Sequence, residues 1–316
     1  MKIVVLDAKP LDVGDVSWDG LSALGQVTFY DQTKPSETQD RIKDANIVLT
    51  NKVQLRKEHI NAAPTLQYVG VLATGYDVVD VVSCRDKNIT VANVPGYSTP
   101  STAQATIALL LELTQHIGLH AQAVLDGEWK DAGTFSYWKK PLVELESRTM
   151  VIVGYGAIGQ RVGAIAQAMG MQIVAVSRDG AHDDQNVKRA PLSEALKMAD
   201  VVSLHCPISR GAPPLIGQEQ LALMKNDALL INTARGRLVD VEAVHQALGT
   251  GKLGGYATDV LEEEPPGENH ILFGAPNCIV TPHLAWATLE SRQRLIQMTI
   301  DNVRAFISGT PRHVVN

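Results

Sequence analysis

The chain has 316 residues, of which 45% are hydrophobic and 20% charged, and its formal net charge is −6. This length suits two domains of about 100 to 200 residues, and the four apolar residues between Lys2 and Asp7 are too few for a signal peptide or a membrane span. No basic block is present, and the three cysteines are widely separated, so we expect a cytoplasmic protein with neither a nucleic acid nor a membrane as partner.

The first hundred residues alternate short apolar runs with helical patterns. Strands are predicted at residues 3–6, 27–30, 47–50, 68–72 and 90–92. Helices are predicted between them, at residues 18–24, 38–43, 55–62 and 78–86. This alternation is typical of a small doubly wound α/β domain.

A connector and an aromatic segment follow. Residues 102–124 form one long apolar pattern, rich in alanine and leucine, which predicts a single buried helix. Residues 125–141 are irregular and contain Trp129, Phe135, Tyr137 and Trp138. We name residues 125–141 the aromatic arm, and we expect it to cover a core or to pack against a partner subunit.

Residues 149–178 carry the motif around which the chain is organised. An apolar run, 150–153, ends in Gly154-Tyr155-Gly156-Ala157-Ile158-Gly159, a helical pattern follows as far as Gly170, and a second strand is predicted at 173–176. In such a βαβ unit the first glycine permits the turn, the second lets backbone approach a pyrophosphate, and the third lets helix pack on strand. The pattern predicts a dinucleotide site; the alternative is a glycine-rich turn in some other α/β domain.

The residues after the second strand bear on the choice of cofactor. An acidic side chain about 20 positions beyond the glycines binds the ribose 2′-hydroxyl of NAD, whereas an arginine accommodates the 2′-phosphate of NADP. This chain has Ser177-Arg178, which favours NADP(H), with NAD(H) possible. Asp179 leaves the alternative open, because a small shift of the loop would restore an acidic contact.

The βα rhythm continues to the end of the chain. Strands are predicted at residues 201–205, 228–232, 256–259 and 278–281, and one helix at 289–307. Polar residues follow these strands, at the edge where ligands bind in an open α/β sheet.

Three of those polar residues have complementary chemistry. Arg235 could pair with a carboxylate, His283 could donate a proton to an oxygen, and Glu264 could orient that imidazole and favour its charged form. Together they suit the reduction of a 2-keto acid. Taken singly, each has an ordinary explanation: a structural ion pair for Arg235, a solvated acidic run for Glu264 and a hydrogen-bonded core histidine for His283.

Several motifs resemble one family along essentially the whole chain. They are VLATGYDVVD at 71–80, NVPGYSTPSTAQATIALLLEL at 93–113, GYGAIG at 154–159, NTARGRLVD at 232–240, DVLEEEP at 259–265 and TPHLAW at 281–286. The chain is identified as a member of the D-isomer-specific 2-hydroxyacid dehydrogenases. FSYWKKPLVEL at 135–145 and Trp286 make it most similar to the glycerate dehydrogenases, also called hydroxypyruvate reductases.

The resemblance implies a fold and an assembly. A Rossmann dinucleotide-binding domain, residues 101–284, would be inserted into a flavodoxin-like substrate domain made of residues 1–100 and 285–316, with a cleft between the two. It also implies a homodimer built on the inserted domain, with the aromatic arm contributing.

The resemblance also implies roles for individual residues. Arg235 would bind substrate, Glu264 would assist, and His283 would be the acid/base. The cofactor would be lined by the glycine motif (Gly154, Gly156, Ala157, Ile158, Gly159), by Ser177 and Arg178, and by Thr74, His205, Cys206, Pro207, Thr233, Ala234, Asp259 and His283. The substrate would contact Leu72, Ala73, Thr74, Gly75, Arg235 and Trp286, because backbone N–H groups of the turn can bind a carboxylate.

The predicted reaction is NAD(P)H-dependent reduction of hydroxypyruvate or glyoxylate to D-glycerate or glycolate. Trp286 would limit the room beyond the keto carbon, unless it only packs the domain junction. Two alternatives remain: a dehydrogenase for another 2-hydroxy acid, and a dinucleotide-sensing, corepressor-like interaction protein on the same fold.

Two further features receive ordinary interpretations. His116 and His120 have a metal-like spacing, but no further ligand is placed near them in sequence, so we favour ordinary helix residues and expect no metal. Cys206 has no base placed to activate it, and we interpret it as a small residue at the cofactor's edge.

Overall fold

The computed structural model of the protein describes residues 1–176, 187–209 and 211–316. Its strands are β1 (Lys2–Val5), β2 (Gln26–Phe29), β3 (Ile47–Thr50), β4 (Tyr68–Val71), β5 (Thr90–Ala92), β6 (Thr149–Val153), β7 (Gln172–Val176), β8 (Lys188–Arg189), β9 (Val201–Leu204), β10 (Ala228–Asn232), β11 (Leu253–Thr258) and β12 (Cys278–Val280). Its α-helices are α1 (Asp19–Ser22), α2 (Thr38–Ile42), α3 (Lys57–Asn61), α4 (Val81–Asp86), α5 (Thr99–Gln115), α6 (Ile117–Leu125), α7 (Glu128–Ala132), α8 (Ala157–Ala168), α9 (Leu192–Met198), α10 (Gln218–Leu223), α11 (Val241–Gly249) and α12 (Leu289–Ile307). Two 3₁₀ helices cover Pro35–Glu37 and Gly236–Leu238.

The chain forms two compact units. Unit 1 comprises residues 1–98 and 286–316, and unit 2 comprises residues 99–285. Unit 1 therefore contains β1 to β5 together with α12, the last helix of the chain.

Unit 1 is built on a five-stranded parallel sheet in the order β2-β1-β3-β4-β5. That order is the flavodoxin-like one. Successive residues of β1 point to opposite faces, so that Ile3 and Val5 pack with α12 residues such as Leu295, while Val4 packs on the other face with Ile42. Every residue of the central strands β3 and β4 is buried, which is why these strands are continuous apolar runs, whereas the edge strand β2 is largely exposed.

Unit 2 contains a seven-stranded parallel sheet in the order β12-β11-β10-β9-β6-β7-β8. The chain starts in the middle of the sheet at β6, proceeds outward through β7 and β8, and then crosses back to β9. This reversal is the Rossmann topology, and the point between β6 and β9 is where such sheets bind dinucleotides. The predicted α/β class with two doubly wound sheets is confirmed.

The predicted single helix at 102–124 is wrong. His116 adopts the left-handed conformation, with φ of 49°, and separates α5 from α6. Both carboxylate oxygens of Glu112 accept a hydrogen bond from the N–H of Gly118, at 3.2 Å. This bond provides a partner for one of the backbone N–H groups in the first turn of α6. The apolar pattern runs on through the break, so periodicity alone could not reveal it.

The described residues include no helix that is both long enough and apolar enough to cross a membrane.

Candidate active site

The turn between β6 and α8 has the geometry expected of a phosphate-binding loop. Gly154 has φ of 96°, and a Cβ there would lie 2.7 Å from the backbone of residues 205 and 206. A Cβ on Gly159 would collide with the carbonyl of Gly154, so this glycine lets α8 pack closely. A Cβ on Gly156 would instead point into open space, and this is the side from which a pyrophosphate can approach the backbone.

The start of α8 can hold an anion. Its first backbone hydrogen bond runs from Gln160 N to Gly156 O, at 2.8 Å. Within the described residues, the N–H groups of Ala157, Ile158 and Gly159 make no hydrogen bond. Three N–H groups at the positive end of a helix dipole match the needs of a pyrophosphate, so the residues present fit a bound dinucleotide.

The end of β9 lies against this turn. His205 N donates to Val153 O at 2.8 Å, and the backbone of Cys206 packs over Gly154. The Nε2 atom of His205 lies 2.8 Å from Ser203 Oγ, and burial lowers the pKa of this imidazole to about 4. His205 is therefore neutral near pH 7 and can offer a cofactor hydrogen bonding but no charge.

The loop after β10 carries Arg235, and a buried asparagine shapes it. Asn232 is fully buried, and its side chain accepts from Ala234 N at 3.0 Å and donates to Arg235 O at 2.9 Å. The guanidinium of Arg235 donates from Nη1 to Ala234 O at 2.8 Å, and Thr233 Oγ1 lies 2.9 Å from Thr106 Oγ1 on α5. These bonds hold Arg235 against the loop that carries it.

Gly236 joins this loop to the one that carries Glu264. A Cβ on Gly236 would overlap the backbone of Leu261 and Glu262, so only glycine permits this approach. Glu264 then folds back, and its Oε1 accepts from Leu261 N at 3.0 Å. The loops after β10 and β11 are therefore packed together at one edge of the sheet.

His283 is paired with Glu264. Its Nδ1 lies 2.6 Å from Glu264 Oε2, a short, charge-assisted distance, and the two side chains are 27% and 31% exposed. Within the described residues, Nε2 of His283 makes no hydrogen bond. One ring nitrogen is thus fixed by a carboxylate and the other is available, which is the arrangement of a general acid/base.

Asp259 anchors the segment that carries His283. This carboxylate is only 2% exposed; Oδ1 accepts from Thr281 Oγ1 at 2.6 Å and from Leu284 N at 2.8 Å, and Oδ2 accepts from Ala285 N at 2.8 Å. His283, between these contacts, has a left-handed φ of 53°. Because non-glycine residues seldom adopt that conformation, bonds on either side are needed to hold it.

A second histidine–glutamate pair nearby differs in one respect. His270 Nε2 lies 3.0 Å from Glu262 Oε1, while its Nδ1 accepts from Leu272 N at 3.3 Å. Both ring nitrogens are engaged within the protein, so His270 cannot exchange a proton with a substrate in this geometry.

In unit 1, the loop of residues 72–75 presents backbone N–H groups in a row. Its first three carbonyls are hydrogen-bonded to the protein: Leu72 O to Asn51 Nδ2 at 2.6 Å, Ala73 O to Val94 N at 3.0 Å and Thr74 O to Asn93 Nδ2 at 2.7 Å. In a trans peptide the C=O and the next N–H point in opposite directions. The N–H groups of residues 73–75 are consequently directed away from those partners, and they make no hydrogen bond within the described residues. Such a row is an anion-binding nest.

Trp286 begins the second segment of unit 1. Its ring meets that of Tyr97 edge-on, with centroids 6.4 Å apart, and it packs against the core that contains Leu295. The indole is partly buried, so part of it remains accessible to a ligand.

The structure thus brings the predicted groups of unit 2 to the carboxyl edge of a single sheet. Ser177 and Arg178, predicted to contact the cofactor, lie outside the described residues. Sequence reasoning missed the supporting roles of Asn51, Asn93 and Asn232, and it assigned Asp259 to the cofactor without seeing that it anchors the His283 segment. The one available signal was position, because Asn232 is the last residue of its strand and the other three residues directly follow theirs.

His116 and His120 are held by local contacts. His120 Nδ1 lies 2.8 Å from His116 O, and its Nε2 accepts from Lys139 N in the aromatic arm at 3.0 Å. Among the residues that the structure describes, no group of three His, Cys, Asp or Glu side chains could hold a metal ion.

A dinucleotide turn and a histidine–carboxylate pair on one sheet define a dinucleotide-dependent oxidoreductase. The chain belongs to the D-isomer-specific 2-hydroxyacid dehydrogenase family, since residues 107–285 match the model described as "D-isomer specific 2-hydroxyacid dehydrogenase, NAD binding domain". The predicted family membership is confirmed, and with it a nicotinamide dinucleotide cofactor and the reduction of 2-keto acids to D-2-hydroxy acids.

Individual relatives are similar over their full length. The chain is 42% identical to a hydroxypyruvate reductase from Blautia hydrogenotrophica, covering 100% of both chains, and 37% identical to a glycerate dehydrogenase from Methylorubrum extorquens, covering 99% and 98%. Among solved structures, an acyclic imino acid reductase in complex with NADPH and D-Arg superposes with a TM-score of 0.89, at 27% identity and 100% coverage of both chains.

Proposed function

We propose that the protein reduces hydroxypyruvate to D-glycerate, with glyoxylate as a smaller and poorer substrate. The observation that carries the proposal is the 2.6 Å contact between His283 and Glu264, which leaves Nε2 available to a substrate oxygen. The names of the hydroxypyruvate reductase and glycerate dehydrogenase relatives support the choice of substrate.

The proposed reaction adds a hydride to the keto carbon and a proton to the keto oxygen. The nicotinamide supplies the hydride when the dinucleotide is bound. His283 donates the proton from Nε2, and the neutral ring takes it back in the reverse direction. Glu264 receives the Nδ1–H hydrogen bond throughout, which fixes the ring's orientation and its tautomer.

The substrate carboxylate needs positive partners. We assign it to Arg235 and to the N–H groups of residues 73–75. A guanidinium binds a carboxylate through two parallel hydrogen bonds, and it also polarises the adjacent keto group. The N–H groups add donors that cost no reorganisation, because their peptide planes are already fixed.

A substrate panel tests the proposal. Hydroxypyruvate, glyoxylate, pyruvate and phenylpyruvate are each supplied with NADH or NADPH, and oxidation of the nicotinamide is followed by absorbance. We expect the highest kcat/KM with hydroxypyruvate. A higher value with pyruvate would contradict the substrate assignment, and no turnover of any keto acid would favour a dinucleotide-sensing, corepressor-like protein instead.

Arg178 should favour NADPH over NADH. Its guanidinium can pair with the 2′-phosphate and the hydroxyl of Ser177 can donate to it, as the sequence after β7 predicts. Arg178→Ala should raise KM for NADPH about ten- to a hundredfold and leave KM for NADH within about twofold, since a lost charge-assisted contact is worth about 1.5 to 3 kcal/mol. Arg161→Ala, on the exposed side of α8, is the charge-matched control. Equal losses for both cofactors would place Arg178 away from the phosphate.

Trp286 should limit the size of the substrate. Its bulk excludes long side chains, and its indole N–H can donate to the hydroxyl of hydroxypyruvate. Trp286→Ala should shift the ratio of kcat/KM values, phenylpyruvate over hydroxypyruvate, by about tenfold toward phenylpyruvate, which corresponds to about 1.4 kcal/mol. An unchanged ratio together with a lower Tm would mean that the indole only packs against Tyr97 and the core of unit 1.

We also propose a homodimer in which the aromatic arm contacts a second copy of the chain. Leu125, Phe135 and Trp138 in this segment are 80%, 93% and 67% exposed, an unusual cluster for a monomer surface. Phe135→Glu should convert a dimer to a monomer in sedimentation experiments, whereas Val82→Glu, on an exposed site of unit 1, should not. A wild-type chain that sediments as a monomer would contradict the proposal.

A further inference from the structure

The last residues of the chain run beside the edge of the unit 1 sheet. Val314 forms an antiparallel bridge with Ala92, and Val315 N donates to Val91 O at 2.9 Å. The terminal residue, Asn316, accepts from Val91 N at 2.8 Å and donates to Ile89 O at 2.7 Å. The C-terminal tail, residues 311–316, is thereby attached to β5.

A chain of hydrogen bonds leads from this tail to the nest at residues 72–75. His313 Nδ1 lies 2.9 Å from Asn302 Oδ1 on α12, and Asn302 Nδ2 donates to Asn93 O at 3.0 Å. Asn93 in turn donates from Nδ2 to Thr74 O at 2.7 Å, and its own N–H donates to His313 O at 3.1 Å. Asn302 and Asn93 are 3% and 9% exposed, so water cannot readily replace the bonds from Asn302 to Asn93 and from Asn93 to Thr74. His313 itself is exposed and closes the outer end of this chain of bonds.

The direction of each bond follows from its neighbours. Because Nδ2 of Asn302 must donate to a carbonyl, its Oδ1 faces His313 and can only accept. The Nδ1 atom of His313 therefore carries the hydrogen. The chain of donors runs one way, from His313 through Asn302 and Asn93 to the carbonyl of Thr74.

We propose that His313 is a positioning residue for substrate binding. By holding Asn302 and Asn93, it fixes the carbonyl of Thr74, and with it the opposite-facing N–H of Gly75. This inference rests on the proposed role of residues 72–75 in binding the substrate carboxylate. It adds that the C-terminal tail, a segment without any group for the reaction itself, sets the affinity for the keto acid.

Two variants of His313 distinguish the role of its hydrogen-bond donor from the role of its backbone conformation. His313 has φ of 52°, a left-handed conformation that asparagine and aspartate also tolerate. The amide nitrogen of His313→Asn can replace Nδ1–H as donor, whereas the carboxylate of His313→Asp can only accept. Rotating the Asn302 amide to meet that carboxylate would turn its oxygen toward Asn93 O, so the chain is broken in either arrangement.

The wild-type chain and both variants are compared in two assays. In steady-state kinetics with saturating cofactor, His313→Asp should raise KM for hydroxypyruvate about three- to tenfold, the effect of losing one hydrogen bond, while kcat and KM for the nicotinamide cofactor stay within about twofold. His313→Asn should behave as the wild type. In hydrogen–deuterium exchange without ligands, the peptide that contains residues 72–76 should exchange about three- to tenfold faster in His313→Asp only.

The outcomes distinguish this inference from the proposed function. Equal exchange and equal KM in the two variants would overturn the positioning role. A rise of KM for hydroxypyruvate and of KM for the cofactor by the same factor in His313→Asp would overturn it as well. Faster exchange of residues 72–76 with unchanged KM would show that the tail orders the loop but that the loop does not bind substrate, which overturns both the inference and the role assigned to the loop. The exchange assay requires no turnover, so a wild-type chain without any activity would contradict the proposed function alone.

Discussion

Replacing His283 with alanine should lower kcat for hydroxypyruvate reduction by about 10² to 10⁴. The variant loses the proton donor, while the backbone around it remains bound to Asp259. KM for the nicotinamide cofactor should stay within about twofold, because the phosphate-binding turn at residues 154–159 is untouched. Steady-state kinetics combined with a fluorescence titration of the cofactor would measure both quantities.

His270→Ala is the matched control. His270 is also paired with a glutamate, but both of its ring nitrogens are engaged within the protein. Its removal should lower Tm and leave kcat within about threefold, since a lost structural contact acts on stability rather than on proton transfer. If His283→Ala kept near-wild-type turnover, or if the two alanine variants lost kcat equally, His283 would not be the acid/base.

The sheets could be predicted from the sequence because they are parallel and covered on both faces. A strand with two buried faces is a continuous apolar run, so β3, β5 and β10 were predicted with their observed bounds. The final helix was also predicted at its observed bounds, Leu289–Ile307, where Thr288 caps its first turn by accepting from Ser291 N. A local sequence pattern is enough to predict an element when the burial of its residues follows a simple rule along the chain.

Two kinds of element were missed. The short helices α9, α10 and α11 were not predicted, although α11 buries Val241, Val244 and Leu248 at helical spacing and has a capping aspartate, Asp240, whose side chain accepts from Ala243 N. The break at His116 rests on the side chain of Glu112, six residues before the N–H that it satisfies. The apolar pattern continues across this break, so periodicity alone does not reveal it.

For the site, too, the sequence predicts where the polar residues lie but not how their side chains pair. The polar residues after β10, β11 and β12 could be expected to converge, because the carboxyl ends of parallel strands share one edge. The sequence analysis pairs Glu264 with His283 from the chemistry of the residues and the family resemblance, because spacing alone does not show which of the three consecutive glutamates reaches which histidine. Loop packing decides it: Gly236 presses against residues 261 and 262, and Glu264 folds back onto Leu261 N before meeting His283.

Replacing Arg235 with lysine should lower kcat/KM for hydroxypyruvate by about 10² to 10³. Lysine keeps the positive charge but lacks the planar fork that binds a carboxylate through two parallel bonds and polarises the adjacent keto oxygen as charge develops there. The loop itself should persist, because Asn232 holds it through the backbone of residues 234 and 235. Steady-state kinetics gives the loss, and calorimetric titration with oxamate, an unreactive analogue that keeps the carboxylate, gives the part due to binding.

Arg237→Lys is the control for Arg235→Lys. Arg237 lies two residues further on, in the 3₁₀ helix Gly236–Leu238, and its side chain is exposed. The Arg237→Lys variant should retain kcat/KM for hydroxypyruvate and the affinity for oxamate within about twofold, since an exposed charge contributes little to a binding site. If Arg235→Lys fell in kcat/KM but bound oxamate as the wild type does, the guanidinium would act on the keto oxygen alone and the carboxylate would belong to residues 73–75. A loss of less than about threefold in kcat/KM would contradict any role of Arg235 in the reaction.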